Sequence, residues 1–282
     1  RCAGAALGRR RMTFDRIMRP ADGAAWITGA SEGIGRATAL RLCAEGWTVH
    51  ATARSLPDLE RLKADAQGPG RIIPAPGDVT DPAAMTAIVE GITGETMAAQ
   101  PLALVILNAG VYVPMRAEAF RAATARRMFD INLGGVANGL EPALAHMIAR
   151  RSGHVAITAS VAGYRGLPDA AIYSATKAGL IAMAEALAMD LVDLGVRISV
   201  INPGFVKTKA TSVNAFEMPF LMTPEEAAKQ IVDGLKRPGF EIVFPRRFAF
   251  LLRLLGALPD RAYIAAMRRM TGWKDRADRP AP

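Results

Sequence analysis

Residues 26–35, Trp26-Ile27-Thr28-Gly29-Ala30-Ser31-Glu32-Gly33-Ile34-Gly35 (WITGASEGIG), carry an apolar run into a helical pattern through a turn holding three glycines. A glycine at the end of a strand permits a sharp turn that a Cβ would obstruct, and a second lets backbone approach a ligand closely. The helix that follows presents free N–H groups and the positive end of its dipole, the arrangement that binds a pyrophosphate. Strand, glycine-rich turn and helix in that order predict a dinucleotide site and the fold that carries one.

The rest of the chain repeats the theme from residue 24 onward. AAWIT, TVHATAR, RIIPAPGD, PLALVILNAG, GHVAITAS, VRISVINPG and EIVFP are short apolar runs separated by helix-length segments, among them GRATALRLCAEG, SLPDLERLKADA, DPAAMTAIVEGI, a long helical stretch from after PLALVILNAG to about residue 150, and TPEEAAKQIVDGLK. Strands apolar throughout are buried on both faces, and helix-length connections between them allow parallel pairing. The expected architecture is α/β, a doubly wound parallel sheet of about seven strands with helices on both faces. No repeat or long linker interrupts it, so one domain is expected over residues 22–245.

Composition limits the alternatives. A chain of 282 residues, 51% hydrophobic and 22% charged, can bury a large core. Its longest apolar runs fall short of the roughly 20 residues a membrane span needs. Cys2 and Cys43 form no motif, and His50, His146 and His154 form no cluster, so neither a disulfide framework nor a metal site is expected. Reducing cytoplasm is the expected compartment. The net charge of +9 sits at the ends: residues 1–20 hold six Arg against one Asp, and residues 236–282 hold eleven Lys and Arg against four acids. The stretch between carries eighteen basic residues against twenty-one acidic ones. A basic groove interleaved with aromatics is missing, which argues against nucleic acid. Residues 1–21 are read as a disordered extension, with Met12 as a candidate start.

The chemistry concentrates in AAIYSATKAGLIAMAEALAMD, residues 170–190, where Tyr173 and Lys177 stand four places apart. Side chains at i and i+4 share a helix face. A side chain that hands over a proton in catalysis must ionise near neutral pH, and the phenol of a free Tyr, with a pKa near 10, is too weak an acid. A neighbouring cation favours the phenolate and lowers that value. Ser160 lies at the end of the preceding strand, where open α/β sheets bind ligands.

These motifs occur in a fixed order: TGASEGIG (28–35), GDV (77–79), NAG (108–110), IN ending at Asn132, ITAS ending at Ser160, YSATK (173–177) and NPGFVKT (202–208). With its TGxxxGxG spacing the set resembles the short-chain dehydrogenase/reductases over roughly residues 22–245. The resemblance implies an oxidoreductase that transfers hydride between a nicotinamide dinucleotide and a carbonyl or secondary alcohol. It makes Tyr173 the general acid/base, Ser160 the ligand of the substrate oxygen, Lys177 the group that lowers the Tyr pKa and holds the nicotinamide ribose, and Asn132 the anchor of a proton relay. Cofactor contacts are expected from Gly29, Ser31, Gly33, Ile34 and Gly35 of the loop, from Asp78 (to the adenine amino group) and Val79, and from Asn108, Ala109 and Gly110. Pro203, Gly204, Val206 and Thr208 complete the set. After the second strand, NAD sites place an acid on the ribose 2′-OH while NADP sites offer a cation. Here the acid position is Ala53, followed by Arg54, so NADP(H) is favoured over NAD(H), although Glu32 stands where many NADP-using relatives have a basic residue.

The segment KATSVNAFEMPFLM (209–222), with Phe216, Met218, Phe220, Leu221 and Met222, falls at the family's substrate lid and suggests an apolar carbonyl or alcohol. Residues 246–282 form a basic, amphipathic extension, with Arg246, Arg247, Arg253, Arg261, Arg268 and Arg269 among Leu and Phe. It is expected to pack on the same domain or on a partner, with membrane-surface contact through 246–270 as the alternative. A homodimer or homotetramer is implied by the resemblance alone. Three readings compete: a cytoplasmic carbonyl reductase, a peripheral membrane reductase of long-chain 3-keto lipids, and a nucleotide-sensing protein without catalysis.

Overall fold

In the computed structural model, residues 16–94, 100–212 and 218–272 are described. Seven strands make one parallel sheet: β1 (Ala24–Thr28), β2 (Thr48–Thr52), β3 (Arg71–Pro74), β4 (Leu102–Leu107), β5 (Gly153–Thr158), β6 (Val196–Pro203) and β7 (Glu241–Phe244). Their order is β3-β2-β1-β4-β5-β6-β7. The order reverses between β1 and β4, which pair in register through Ala25 with Leu104 and Ile27 with Ile106. At that reversal the connections leave toward opposite faces and open a crevice at the carboxyl ends of the strands.

The helices are α1 (Gly33–Ala44), α2 (Leu56–Ala64), α3 (Pro82–Thr93), α4 (Ala122–Phe129), α5 (Gly135–Ala149), α6 (Ala171–Leu191), α7 (Pro224–Leu235), α8 (Arg246–Gly256) and α9 (Asp260–Met270). Their starts are written locally. Asp81 accepts from the N–H groups of Ala83 and Ala84 ahead of Pro82, and Thr223 with Glu226 forms a reciprocal cap ahead of Pro224. On one face of the sheet Ala25 and Ile27 pack with Leu42 of α1, Leu59 of α2 and Ile231 of α7. On the other, Trp26 and Val105 pack with Val89 of α3, Leu140 of α5 and Leu180 of α6. Each fully buried Leu, Ile or Val contributes about 1.5–3 kcal/mol, so the two faces together fix the register against a one-residue slip.

Two features depart from the sequence reading. Residues 16–21, expected in the extension, already lie on the body: Met18 is buried, and Arg16 donates from Nη1 to the Arg151 carbonyl at 2.8 Å. The extension reading for residues 1–15 concerns a stretch outside the described residues. The helical stretch toward residue 150 is interrupted, because residues Asp130–Gly134 widen into a π turn between α4 and α5. A π turn is a local device for re-aiming side chains, and it holds Asn132.

Candidate active site

The crevice at the β1/β4 reversal is a cleft of about 320 Å³ lined by all the expected cofactor residues, from Gly29, Ser31, Gly33, Ile34 and Gly35 through Arg54, Asp78, Val79, Asn108, Ala109 and Gly110 to Pro203, Gly204, Val206 and Thr208. Tyr173, Lys177 and Ser160 line it as well. Asn132 does not; it is fully buried behind Gly110.

The walls of the cleft are backbone. Gly29 has φ +70, and a Cβ there would stand 2.8 Å from the Cα of Ala109; a Cβ on Gly35 would collide with the Gly29 carbonyl oxygen. Asn108 ties the two strand ends together, donating from Nδ2 to the Thr28 carbonyl at 3.2 Å, while the Asn108 N–H donates to Thr28 Oγ1 at 3.0 Å. No side chain caps α1, which leaves its first N–H groups available to an anion. A cradle that side chains would fill, facing an uncapped helix start, fits a dinucleotide pyrophosphate.

Farther along, Asp78 accepts through Oδ1 from the Thr80 N–H at 2.9 Å and from Thr80 Oγ1 at 2.8 Å. Those bonds, the backbone one foremost, hold its carboxyl below the usual range, with Arg54 adding a smaller electrostatic pull. Arg54 is exposed at the rim, next to the buried Ala53. Glu32 pairs with Lys209 across the cleft at 2.6 Å.

At the inner end, α6 delivers Tyr173 and Lys177 from its first two turns, beside the end of β5. Lys177 is buried and donates to the Thr158 carbonyl at 2.8 Å, with its ammonium 5.6 Å from the centroid of the Tyr173 ring. Burial brings its pKa down to about 8. The Tyr173 hydroxyl is raised above its ordinary value by desolvation, and its hydrogen bond with Ser160 offsets this only in part. The sequence reading expected Lys177 to lower this pKa. In the free chain desolvation is the foremost influence on both groups, and one N–H of the Lys177 ammonium is committed to the Thr158 carbonyl. The Ser160 hydroxyl also accepts from the Ala162 N–H at 3.1 Å.

Asn132 was expected to anchor a relay. Its Nδ2 donates to the Val111 carbonyl at 3.0 Å and to Thr176 Oγ1 at 3.1 Å, and its Oδ1 accepts from the Val111 N–H at 2.8 Å. With both N–H groups committed, the amide fixes the segment after β4 against the start of α6. Gly110 leaves a gap between Asn132 Oδ1 and Lys177 Nζ, since a Cβ there would lie 3.3 and 3.5 Å from them.

A second cavity, about 760 Å³ and mostly apolar, opens on the far side of Ser160 and Tyr173, which line both spaces. Tyr112 stands at this neck with its ring edge-on to Tyr173, centroids 4.9 Å apart. The walls of the second space are only partly the expected lid. Met218 lines it, but Phe220 and Leu221 are exposed, Met222 pairs with Val206 instead, and Phe216 lies outside the described residues. Part of the remaining apolar wall comes from Val161, Leu167, Pro168 and Phe205, and part from the C-terminal helices, through Phe248 and Leu252 of α8 and Met267 and Met270 of α9. Sequence reasoning missed Tyr112, Phe205 and these four. For Tyr112 the signal was present, an aromatic two places after a strand-ending glycine. For the C-terminal residues it was only their helical spacing, which does not say against what a helix packs.

The C-terminal helices are anchored to the site. Glu241 of β7 accepts from the Tyr164 hydroxyl and, at 2.7 Å, from Asn202 Nδ2, and it pairs with Arg253 of α8. Arg165 donates to the carbonyls of Gly256 and Leu258, each at 2.7 Å, and pairs with Asp260.

A family model described as short chain dehydrogenase matches residues 23–217, and the chain belongs to that family of oxidoreductases. An uncharacterized oxidoreductase of Myxococcus xanthus (strain DK1622) is 39% identical over 247 residues, covering 87% of this chain and 96% of its own. The 3-oxoacyl-[acyl-carrier-protein] reductase of Thermotoga maritima is 31% identical over 222 residues, 73% of this chain and 87% of that protein. Among solved structures, a short chain dehydrogenase from Burkholderia cenocepacia J2315 in complex with NADP superposes with a TM-score of 0.74 at 23% identity, covering 88% of this chain and 98% of that one, a likeness of fold.

Proposed function

We propose that this oxidoreductase uses NADP(H) to interconvert an apolar carbonyl compound and its secondary alcohol, with Tyr173 as general acid/base. The observation that carries the reading is the neck: Ser160 and Tyr173 line both the dinucleotide cleft and the apolar cavity. A carbonyl carbon presented from the apolar side meets the cleft at this neck, which Tyr112, Gly204, Ala210 and Thr211 also line. The bound dinucleotide supplies the hydride, which no protein side chain can carry. Ser160 and the Tyr173 hydroxyl hold the substrate oxygen, and the phenol protonates it in the reductive direction. Lys177 sets the electrostatics of the phenol once the site is loaded, and Gly110 leaves room for a water to resupply its proton.

NADP(H) over NAD(H) rests on four side chains. Ala53 offers the ribose no carboxylate, Arg54 offers a 2′-phosphate a guanidinium at the rim, and the negative charge of Glu32 is neutralised by Lys209. The apolar substrate rests on the second cavity and on likeness to ketoacyl reductases such as the Thermotoga protein. The test is a panel of aliphatic and aromatic ketones and 3-oxo esters, assayed with NADPH and NADH by absorbance. Turnover that prefers NADPH and rises with chain length supports the reading; turnover confined to small polar ketones, or faster with NADH, overturns it.

A further inference from the structure

The α8–α9 hairpin has two sides with different chemistry. Inward, Phe248, Leu252 and Met267 are buried. Outward, Phe250 is 69% exposed, Leu254 61% and Ile264 55%, so a row of large apolar side chains faces solvent on the element that walls the second cavity. Buried apolar surface is what usually stabilises such side chains, and an exposed cluster of this kind marks a contact surface.

The charge around the cluster identifies the contact. Arg246, Arg247, Arg261, Arg268 and Arg269 are all exposed, and none has an acidic partner among the described residues. Among the described residues from β7 to α9 the two acids are already neutralised, Glu241 by Arg253 and Asp260 by Arg165. On α9, Arg261, Ile264 and Arg268 follow at i, i+3 and i+7 and so share one face. An isologous contact with a second copy through this face would set the uncompensated basic patch against itself. A partner presenting negative charge outside and hydrocarbon within meets both features, as an amphipathic helix lying in a lipid interface does.

We propose that the outer face of the α8–α9 hairpin docks on an anionic lipid bilayer. Met270 is both 59% exposed on this hairpin and a wall of the second cavity, so docking brings that cavity beside the acyl layer. The substrate is then an amphiphile that partitions into the bilayer with its carbonyl on an apolar chain. This last step rests on the reductase reading; the docking itself does not.

The experiment separates the two. Full-length protein is sedimented with vesicles of phosphatidylglycerol and phosphatidylcholine mixed, and of phosphatidylcholine alone, in low and high salt; NADPH binding by fluorescence is followed in parallel. Binding to the anionic vesicles, weakened by salt and weak on the neutral ones, is expected. The double change Arg247→Glu and Arg261→Glu should lower the partition coefficient by at least about 25-fold, from about fivefold per arginine, and Phe250→Ser with Leu254→Ser should lower it without changing NADPH affinity. Absence of vesicle binding by the wild-type protein, or a dimer that the Phe250→Ser/Leu254→Ser pair dissociates, overturns the docking. Vesicle binding with no NADPH binding would sink the reductase reading and leave the docking standing.

Discussion

Glu32 and Lys209 meet at 2.6 Å across the mouth of the cofactor cleft, one from the glycine-rich loop and the other from the segment after β6. Both are well exposed, 53% and 85% by side chain, so solvent screens the pair and its share of stability is about 0.5 kcal/mol or less. Its consequence is local. Lys209→Ala should leave Glu32 facing the adenosine end of the cleft and weaken NADPH binding several-fold more than NADH binding, while the melting temperature hardly moves. Fluorescence titration of both cofactors checks this, and equal losses for the two would remove the pair from cofactor choice.

Tyr173→Phe should reduce kcat/KM for any working ketone by about 10²–10⁴ while NADPH affinity stays within about threefold. Steady-state kinetics beside cofactor titration separates the proton from the fold, because the phenol is partly open to the cavity and its ring packing on Tyr112 survives the change.

Lys177 shows a conflict between stability and use. Its pKa in the folded chain is about 8, below the ordinary 10.5, so the unfolded chain binds the proton more tightly and folding carries a cost below pH 8 that fades between pH 8 and 10.5. Lys177→Met should therefore be more stable than wild type at pH 7, by about 1–2 kcal/mol once the unpaired Thr158 carbonyl is subtracted, and inactive. Urea melts at pH 7 and pH 10 test the sign: the gain must shrink at the higher pH.

At the acid end, His50 of β2 has a pKa near 4 through burial and, secondarily, the charge of Arg71. The unfolded chain binds its proton from pH 6.5 downward, so stability should fall as pH drops from 6.5 through 4. His50→Gln should flatten the urea midpoint in that window; an unchanged slope would place the acid sensitivity elsewhere.

Glu241→Ala would leave Asn202 Nδ2 and the Tyr164 hydroxyl without their acceptor, at a cost of about 2–4 kcal/mol. Proteolysis should show the α8–α9 hairpin released before the sheet unfolds. Glu241→Gln keeps the acceptor for one partner and should lie between the two.

The seven strands could be read in the sequence because a doubly buried parallel strand is a continuous apolar run, and residues such as Val105 and Ile106 face opposite layers yet are both hydrophobic. The cleft was legible for a related reason: Gly29 and Gly35 are demanded by backbone proximity, which is local. The second cavity was not. Phe248 and Met267 are ordinary helix residues whose partners lie on loops far away in the sequence, and periodicity carries no information about that distance. The protonation balance at Tyr173 and Lys177 was hidden too, since spacing states that two groups are near but not how dry their surroundings are.

The neck at Ser160 and Tyr173 joins two spaces that different parts of the chain build. In the proposed reaction β5 and α6 supply the groups at the reacting oxygen, while α8 and α9 supply part of the apolar wall around the rest of the substrate. Substitutions in those helices can then retune selectivity while the reacting atoms stay where they are, which makes the hairpin the natural place for divergence among descendants of this chain.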